Sequence, residues 1–383
     1  MRILILGGDG YLGWPTAMHF SARGDDVCVA DNYLRRQLSK ETDSEPLFLV
    51  PELNERARIF EELSGNKIEV KIGDCSDYSF LLSLIKNFNP ETIIHYAEQP
   101  SAPYSMSNYK SAYLTFKNNL DTTFNLIWAV KELAPKCHIV KLGTMGEYGT
   151  PNIDIEEGWI NINHNGRNDT FLYPRQAGSL YHTTKVLDTD LLWFYVRTSN
   201  LCVTDLMQGP VYGLSTKEAD LDFQLSPFFN YDDIFGTVVN RFVTQAVANI
   251  PLTIYGKGKQ IRGYLNIKDT LQCVELAVDN QPEPGELRVL NQFTEQFSVN
   301  EIAALVQAAG SEIGLEVKIQ SIINPRQEKE DHYYNPKHSG LVELGLKPHI
   351  LSNKVLIEMM EIIMPFKDKI DINKIMPRVN WEK

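Results

Sequence analysis

Five Tyr-x-x-x-Lys patterns in this chain place a phenol and an ammonium group one helical turn apart. At that spacing the cation can lower the pKa of the phenol and make it a base near neutral pH. The pairs are Tyr113/Lys117, Tyr181/Lys185, Tyr255/Lys259, Tyr264/Lys268 and Tyr333/Lys337. Because the pattern recurs, it does not identify a catalytic pair by itself.

The surrounding sequence favours Tyr181 and Lys185 as the catalytic pair. An apolar segment at 138–142 predicts a strand, and it runs into a loop that begins Gly143-Thr144, whose hydroxyl could hydrogen-bond a substrate oxygen. The helix predicted after this loop carries the Tyr181/Lys185 pair. One of the other pairs is interrupted by a proline, two lie in a second lobe and one precedes the loop. The alternative for the favoured pair is an exposed polar pair on a helix.

The start of the chain has the features of a dinucleotide-binding loop. An apolar strand predicted at 2–6 leads into glycine at positions 7, 10 and 13, and an amphipathic helix is predicted over 11–23. This G-x-x-G-x-x-G spacing lets a strand turn tightly into a helix whose N-terminal amides face a pyrophosphate. The motif is weak in isolation, and its uninterrupted strand, loop and helix make a dinucleotide the favoured ligand.

The charge after the second strand indicates which dinucleotide is bound. That strand, predicted at 27–30, ends at Asp31, and a carboxylate about 20 residues past the loop can bind the 2′-hydroxyl of an adenosine ribose. Its charge disfavours the 2′-phosphate of NADP, whereas Arg35 and Arg36 favour it. We therefore predict NAD. The alternative role of Asp31 is that of a turn residue at a strand end.

Length, charge and cysteine content limit the class of protein. The chain has 383 residues, of which 43% are hydrophobic, so it can bury a large core. Its net charge of −12 argues against a nucleic acid or an anionic membrane as the main partner. The five cysteines lack the spacing of a disulfide frame or a metal site, so no metal is expected. With no leader segment and no long apolar run recognised, we expect a cytoplasmic, soluble protein.

Apolar segments alternate with helical patterns over the first half of the chain, as in a doubly wound parallel sheet. We predict an α/β, Rossmann-type fold with an NAD-binding domain at 1–210, which contains a charged insertion at 33–65. A smaller C-terminal nucleotide-sugar-binding lobe is predicted at 211–383, with chain segments that cross between the two lobes. The long loop at 214–233 lacks periodicity, so it is expected to be either functional or disordered.

Thr144, Tyr181 and Lys185, together with the three glycines, resemble the extended short-chain dehydrogenase/reductase superfamily, whose members act on nucleotide sugars. Within it, the chain is similar to the UDP-sulfoquinovose synthase family. Three stretches carry this similarity: G-T-M-G-E-Y-G-T-P-N-I-D-I-E-E at 143–157, S-A-P-Y-S-M at 101–106 and N-Q-F-T-E-Q-F-S at 291–298. The likeness extends over essentially the whole chain.

The resemblance implies tightly bound NAD and the conversion of UDP-glucose and sulfite to UDP-6-sulfo-6-deoxyglucose. Tyr181, with its pKa lowered by Lys185, would take the proton of the C4 hydroxyl while hydride passes to NAD, and Thr144 would hold that oxygen. The 4-ketone would acidify the C5 hydrogen, so that water is lost across C5 and C6. Sulfite would add to C6, and hydride would return to C4.

Beside Thr144 the sequence departs from the related 4,6-dehydratases, which have an Asp-Glu pair there. Met145 and Gly146 occupy those positions, so the group that removes the C5 proton is open between Glu147 and His182. Glu147 could instead accept hydrogen bonds from loop amides. His182 could instead only line the pocket.

The resemblance and the residue chemistry together predict two sets of binding residues. The cofactor set is Gly7, Gly10, Tyr11, Leu12, Gly13, Asp31, Asn32, Arg35, Arg36, Asp74, Cys75, Tyr96, Ala97, Glu98, Asn119, Tyr181 and Lys185. The substrate set is Thr144, Gln208, Thr237, Arg262, Tyr264 and Arg326. Arg262 and Arg326 are included because a guanidinium group matches phosphate oxygens, the alternative being surface ion pairs. Pro100 stands where relatives carry a basic residue, which leaves the binding of sulfite open.

Two other functions are alternatives at this point: an NAD-dependent UDP-glucose 4-epimerase, and a catalytically silent NAD-binding scaffold. The intact catalytic set argues against the silent scaffold. The superfamily further implies a homodimer formed through the helices at 108–133 and 180–198. The sequence leaves open whether free sulfite or a sulfite-delivering protein is the donor, and whether the sulfosugar enters a lipid or a glycan.

Overall fold

The computed structural model describes residues 1–329 and 331–381. Its strands are β1 (Arg2–Leu6), β2 (Asp26–Asp31), β3 (Ile68–Ile72), β4 (Thr92–His95), β5 (His138–Thr144), β6 (Trp159–His164), β7 (Arg167–Leu172), β8 (Cys202–Gln208), β9 (Val211–Tyr212), β10 (Leu252–Tyr255), β11 (Ile261–Asn266), β12 (Leu287–Gln292), β13 (Glu295–Ser298) and β14 (Ile319–Ile322). Its helices are α1 (Gly13–Arg23), α2 (Leu34–Glu41), α3 (Leu53–Ser64), α4 (Tyr78–Phe88), α5 (Ala102–Ser105), α6 (Tyr109–Leu133), α7 (Leu180–Ser199), α8 (Val238–Val247), α9 (Ile267–Asp279), α10 (Val299–Glu312), α11 (Gly340–Glu343), α12 (Asn353–Ile363) and α13 (Ile372–Ile375).

The centre of the described structure is a seven-stranded sheet with the order β12-β8-β5-β4-β1-β2-β3. All of its strand pairs are parallel, and Ile5 in β1 lies between Val29 of β2 and Ile94 of β4. These three side chains are fully buried, because helices cover both faces of the sheet and each strand is therefore apolar along its length. The predicted α/β, Rossmann-type fold is confirmed.

The edge strand β12 comes from the part of the sequence predicted to form the smaller lobe. It pairs with β8 in the main sheet, with Leu287 opposite Val203. Periodicity identifies a short apolar segment as a strand but does not identify its partner. The chain thus returns to the main sheet after it has formed part of the second lobe.

The smaller lobe packs three helices around its own apolar core. Helices α8, α10 and α12 contact one another, and β10 pairs in parallel with β14 beside them. The core includes Phe242, Ile302, Leu356 and Met360, all fully buried. Residues from this part of the chain and from the carboxyl ends of the main sheet's strands line one open cavity.

The charged insertion between β2 and β3 forms helices α2 and α3. Lys374 and Arg378 bind it through ion pairs and hydrogen bonds. Arg378 donates to the carbonyl of Asp43 at 3.0 Å and pairs with Asp233 at 3.1 Å. Lys374 also pairs with Asp43, at 3.0 Å. We call residues 371–381 the C-terminal clasp. It joins the insertion to the loop that precedes α8.

A hairpin formed by β6 and β7 follows the loop after β5, and the sequence analysis did not predict it. Its turn, Asn165-Gly166, has positive φ at both residues, which is the backbone of a tight two-residue hairpin turn. Trp159 packs edge to face on Trp193 of α7, with ring centroids 4.9 Å apart. Across the described residues, no helix is both long and apolar enough to cross a bilayer.

Candidate active site

A cavity of about 670 Å³ lies at the carboxyl ends of the central strands. Gly7 follows β1, Asp31 ends β2 and Thr144 ends β5, and all three line the cavity. The order of the sheet reverses at β1, since β2 lies on one side of it and β4 on the other. Ligands of open α/β sheets bind at such a point.

The glycine loop forms one wall of this cavity. A Cβ atom on Gly7 would lie 2.7 Å from the carbonyl carbon of Tyr96, and one on Gly13 would lie 2.9 Å from the carbonyl carbon of Gly7. Helix α1 begins at Gly13 without a side-chain cap, so the amide of Gly13 can face an anion, whereas the amide of Trp14 donates to the carbonyl of Gly10 at 3.4 Å. The loop therefore fits a dinucleotide pyrophosphate. Gly10, Tyr11 and Leu12 also line the cavity.

Asp31 lies beside this loop. Its carboxylate accepts hydrogen bonds from the backbone amides of Asp9, at 2.9 Å, and Tyr33, at 2.7 Å. Burial, followed by the nearby Asp9 carboxylate, raises the pKa of Asp31 to about 6. The side chain faces the cavity together with Asn32, at the position where the ribose of a dinucleotide is held.

The two arginines after Asp31 have different positions. Arg35 lines the cavity, where its guanidinium group lies 3.3 Å from the ring centroid of Phe235. Arg36 does not line the cavity, because its Nε donates to Asp9 at 2.6 Å. The structure thus places Arg36 beneath the glycine loop instead of beside the cofactor, and the buried Arg56 binds the same carboxylate at 3.2 Å.

Helix α7 brings the predicted catalytic pair to the cavity. The Ser179 hydroxyl caps the helix by accepting from the amide of His182 at 3.2 Å, and Tyr181 lines the cavity in the first turn. Lys185 lies one turn further, buried outside the lining. Its ammonium group donates to the carbonyl of Leu142 at 2.6 Å and pairs with Glu98 at 2.8 Å.

This ion pair changes the electrostatics expected of Tyr181. Burial raises the pKa of Tyr181, and the carboxylates of Glu98 and Glu147 raise it further. The ion pair with Glu98 offsets part of the Lys185 charge on which that prediction relies, and no feature of the local Tyr-x-x-x-Lys pattern reports this contact. That Lys185 lowers the pKa of the phenol stays a prediction.

His182 lines the cavity next to Tyr181, with the two ring centroids 5.1 Å apart. Burial, followed by the charges of Arg262 and Arg326, lowers the pKa of His182 to about 3. Its ring is therefore neutral at physiological pH, and Nδ1 lies 3.0 Å from the Ser179 hydroxyl. A Cβ atom on Gly146 would lie 2.8 Å from the His182 Cε1 atom. Glycine at 146 thus provides the space for this imidazole.

Glu147, the other candidate for C5 chemistry, lies outside the cavity. Its carboxylate accepts from the amide of Thr144 at 3.3 Å, in a capping box, and from Lys141 at 3.3 Å. The side chain is fully buried, and Arg175 stands 3.6 Å away. These are the contacts of a structural acceptor. Met145 lines the cavity in front of it.

Most of the remaining cofactor set lines the cavity, and one residue does not. The lining includes Asp74, Cys75, Tyr96, Ala97 and Glu98. Asn119 lies behind them, where it accepts from the amide of Gln99 at 2.8 Å and donates to Thr184 at 3.1 Å. It joins α6, α7 and the segment after β4, so its place is in the support of the site.

The substrate set divides in the same way. Gln208, Thr237, Arg262 and Arg326 line the cavity, whereas the Tyr264 side chain is buried in the core of the smaller lobe. The sequence analysis missed other lining residues, among them Pro103, Asn230, Glu328 and Trp381. Those after residue 300 come from segments without a motif, and only the folded chain brings them to the site.

The contacts of two arginines define the far wall of the cavity. Arg262 pairs with Glu328 at 2.9 Å and lies 2.8 Å from the His332 Nε2 atom. Arg326 lies 5.7 Å from the ring of Trp381, whose amide donates to the carbonyl of Pro325 at 3.0 Å. The C-terminal clasp therefore reaches the cavity. Among the described residues, the cationic side chains in its lining are Arg35, Arg262, Arg326 and Lys329.

Comparison with known proteins places this geometry among nucleotide-sugar enzymes. Residues 3–291 match the model of the NAD dependent epimerase/dehydratase family. The chain is 50% identical over 382 residues to the chloroplastic UDP-sulfoquinovose synthase of Spinacia oleracea, covering 100% of this chain and 79% of that protein. It is 43% identical over 386 residues to the UDP-sulfoquinovose synthase of Sulfolobus acidocaldarius, covering 100% and 98%.

A solved structure shares the fold at lower identity. It is the UDP-glucose 4-epimerase from Bifidobacterium longum in complex with NAD+ and UDP, with a TM-score of 0.71 and 18% identity. The match covers 95% of this chain and 98% of that one. Both lobes thus have a counterpart in that epimerase.

Proposed function

The chain belongs to the UDP-sulfoquinovose synthase family, within the NAD-dependent epimerases and dehydratases, and we propose that it forms UDP-sulfoquinovose from UDP-glucose and sulfite with release of water. The observation that carries this proposal is identity of 50% and 43% over the full chain to two proteins of that name. Thr144, Tyr181 and Lys185 provide the set of groups that the oxidation of the sugar at C4 requires.

The cofactor is NAD, which when bound accepts a hydride from C4 of the sugar and later returns it. The loop from Gly7 to Gly13 would hold the pyrophosphate, because it leads into the uncapped start of α1 and has no space for a Cβ atom at either end. Asp31 would bind the adenosine ribose. Arg36, held by Asp9, takes no part in this binding.

The side chains around C4 move the proton of the C4 hydroxyl. Tyr181 takes this proton, and the Thr144 hydroxyl, at the end of β5, holds the oxygen in place. Lys185 supports Tyr181 from the next helical turn. The resulting ketone makes the C5 hydrogen acidic.

We assign the removal of the C5 proton to His182. It lines the cavity beside Tyr181, and the phosphates of bound UDP would offset the charges of Arg262 and Arg326, which after burial are the causes that lower its pKa. Glu147 is unsuited to this step because it is buried behind Thr144. The proton taken from C5 passes to the C6 oxygen, which leaves as water, and an alkene conjugated with the ketone remains. Sulfite then adds at C6 while a proton returns to C5, and the hydride returns to C4 as Tyr181 gives its proton back to the C4 oxygen.

The phosphates of UDP are assigned to Arg262 and Arg326. Both guanidinium groups line the cavity wall formed by the smaller lobe, and planar guanidinium groups match phosphate oxygens. Glu328 forms an ion pair with Arg262 and so fixes the position of its guanidinium group. The phosphates would bind the same guanidinium group. Gln208 and the start of α8 at Thr237 complete the binding of the nucleotide.

We also propose a cytoplasmic homodimer in which α6 and α7 of each subunit form the contact. These two helices pack on each other, and they expose Tyr113, Phe116, Phe124 and Phe194 to solvent. Apolar side chains of that size on adjacent helices are typical of an interface. A monomeric mass in sedimentation equilibrium at micromolar concentration would rule the dimer out.

The function is tested by incubation of the purified enzyme with UDP-glucose, with and without sulfite, and mass spectrometry of the nucleotide sugars. A sulfite-dependent UDP-sulfohexose is expected. UDP-galactose in its place would support the 4-epimerase alternative. Tyr181→Phe is expected to abolish product formation while NAD still binds, because it removes the base and leaves the rest of the side chain.

A further inference from the structure

Behind Tyr181, a cluster of buried ionisable groups surrounds Lys185. Glu98 follows β4, and its side chain is 2% exposed. One of its oxygens lies 2.8 Å from the Lys185 ammonium group and the other 3.2 Å from the His95 Nε2 atom. Glu98 also borders the cavity. It therefore connects the catalytic helix to the wall of the site.

A second carboxyl group, that of Asp188 on the next turn of α7, is close enough to Glu98 for the two to interact. Asp188 is fully buried, and neither of its oxygens accepts a hydrogen bond from a described residue. An ionised carboxylate in such a place, next to another carboxylate, is strongly disfavoured. A protonated Asp188, in contrast, can donate its hydrogen to Glu98. Burial and the charge of Glu98 both act in this direction, since they raise the pKa of Asp188 well above its usual value.

Resting on the function proposed above, we propose that Glu98 and Asp188 share one proton and act as a single negative charge that balances Lys185. Glu98 is then a positioning residue. Its charge determines the pH at which Tyr181 can accept the proton of the C4 hydroxyl.

Other charges near Tyr181 come from different elements. Lys141 of β5 favours ionisation of the phenol, and Glu147 of the following turn opposes it. These two side chains are 3.3 Å apart, and Lys141 also lies 3.3 Å from Asp205 of β8. Arg175 lies 3.6 Å from Glu147, so this group holds two cations and two carboxylates and its effects largely cancel. The Glu98/Asp188 pair is therefore the group whose charge, once changed, should shift the pKa of Tyr181.

A shared proton predicts that two substitutions will be strongly non-additive. In Glu98→Gln, the new amide can donate to Asp188, which then ionises and replaces the lost charge. In Asp188→Asn, Glu98 keeps its charge. Each single variant should move the acid limb of the pH profile by less than about half a unit, whereas the double variant should move it to lower pH by about one unit or more, a tenfold change.

The measurement is the single-turnover rate of cofactor reduction by UDP-glucose across pH, without sulfite. Asp190→Asn is the matched control, because Asp190 is exposed on the same helix, and it should not move the profile. Additive shifts, a full shift in either single variant, or no shift in the double variant would overturn the proposal. Since this rate needs no sulfosugar product, the result does not depend on whether sulfite is the second substrate.

An infrared measurement covers the case in which a variant does not fold. The wild-type holoenzyme should show the carbonyl stretch of a protonated carboxyl group that persists at slightly alkaline pH. Absence of that band would overturn the proposal. Retained NAD content and an unchanged melting temperature identify the variants whose pH profiles are compared.

Discussion

Gly146→Ala is expected to separate the two halves of the proposed reaction. The Cβ atom of alanine would lie 2.8 Å from the His182 Cε1 atom, whereas carbon atoms in contact are about 3.5–4.0 Å apart. The Cδ2 atom of the same ring would be nearer still, at 2.5 Å, so the imidazole must move by about 1–1.5 Å. Because it borders the cavity, it can move into open space, and we expect the fold to tolerate the change.

The size of the effect follows from the role assigned to His182. A displacement of about 1 Å in a reacting group costs about 100-fold in rate, or about 2.7 kcal/mol of activation free energy. This loss should fall on the removal of the C5 proton. Oxidation at C4 uses Tyr181 and Thr144, whereas the three atoms nearest to the new methyl group all belong to His182, so this oxidation should change by less than about threefold.

The assay follows both steps in one preparation: cofactor reduction on addition of UDP-glucose, and sulfosugar formation on addition of sulfite. Gly178→Ala is the matched control, since Gly178 also lines the cavity and a Cβ atom there would have no neighbour within 4 Å. The assignment of His182 is refuted if Gly146→Ala forms the sulfosugar at nearly the wild-type rate, or if both steps slow equally.

Three further predictions concern the binding of ligands and stability. Gly13→Ala should abolish NAD binding, because the new methyl group overlaps the carbonyl of Gly7; retention of NAD through gel filtration would contradict the placement of the pyrophosphate. Asp9→Asn should leave the buried Arg56 guanidinium without its counter-charge and lower the free energy of unfolding by about 3–5 kcal/mol. For a chain of this length, that loss lowers the melting temperature by about 4–6 °C. A change in melting temperature below about 1 °C would contradict this role of Asp9. Arg262→Ala should raise the KM for UDP-glucose by about tenfold through loss of a charged contact, and a fall in kcat at saturating substrate would argue against phosphate binding.

The sequence predicted those features that depend on short segments. The glycine loop, the strand that ends at Thr144 and the helix that begins near Tyr181 each have a local pattern, and the parallel sheet brings the ends of its strands to one edge. The Asn165-Gly166 hairpin also has a local signal, and the sequence analysis did not use it.

The electrostatics of the site could not be predicted in the same way. Glu98 and Asp188 are 90 positions apart in the chain, and only the packing of α7 against the segment after β4 brings them together. Arg36 has the sequence position of a cofactor ligand, yet Asp9 binds it in the folded chain. Which of several nearby charges pairs with which depends on tertiary distances of a few ångströms, and residue spacing does not report these distances.

The C-terminal clasp has a consequence for how the molecule is made. Arg378 binds Asp43 across 335 positions of sequence, and Trp381 forms part of the cavity wall. Contacts of such high sequence separation form late, because a long loop must close first. During synthesis the main sheet can assemble while the insertion still lacks its partner. The cavity is therefore completed only after residues 371–381 have left the ribosome, and a molecule synthesised up to residue 370 still lacks the part of the wall that Trp381 forms.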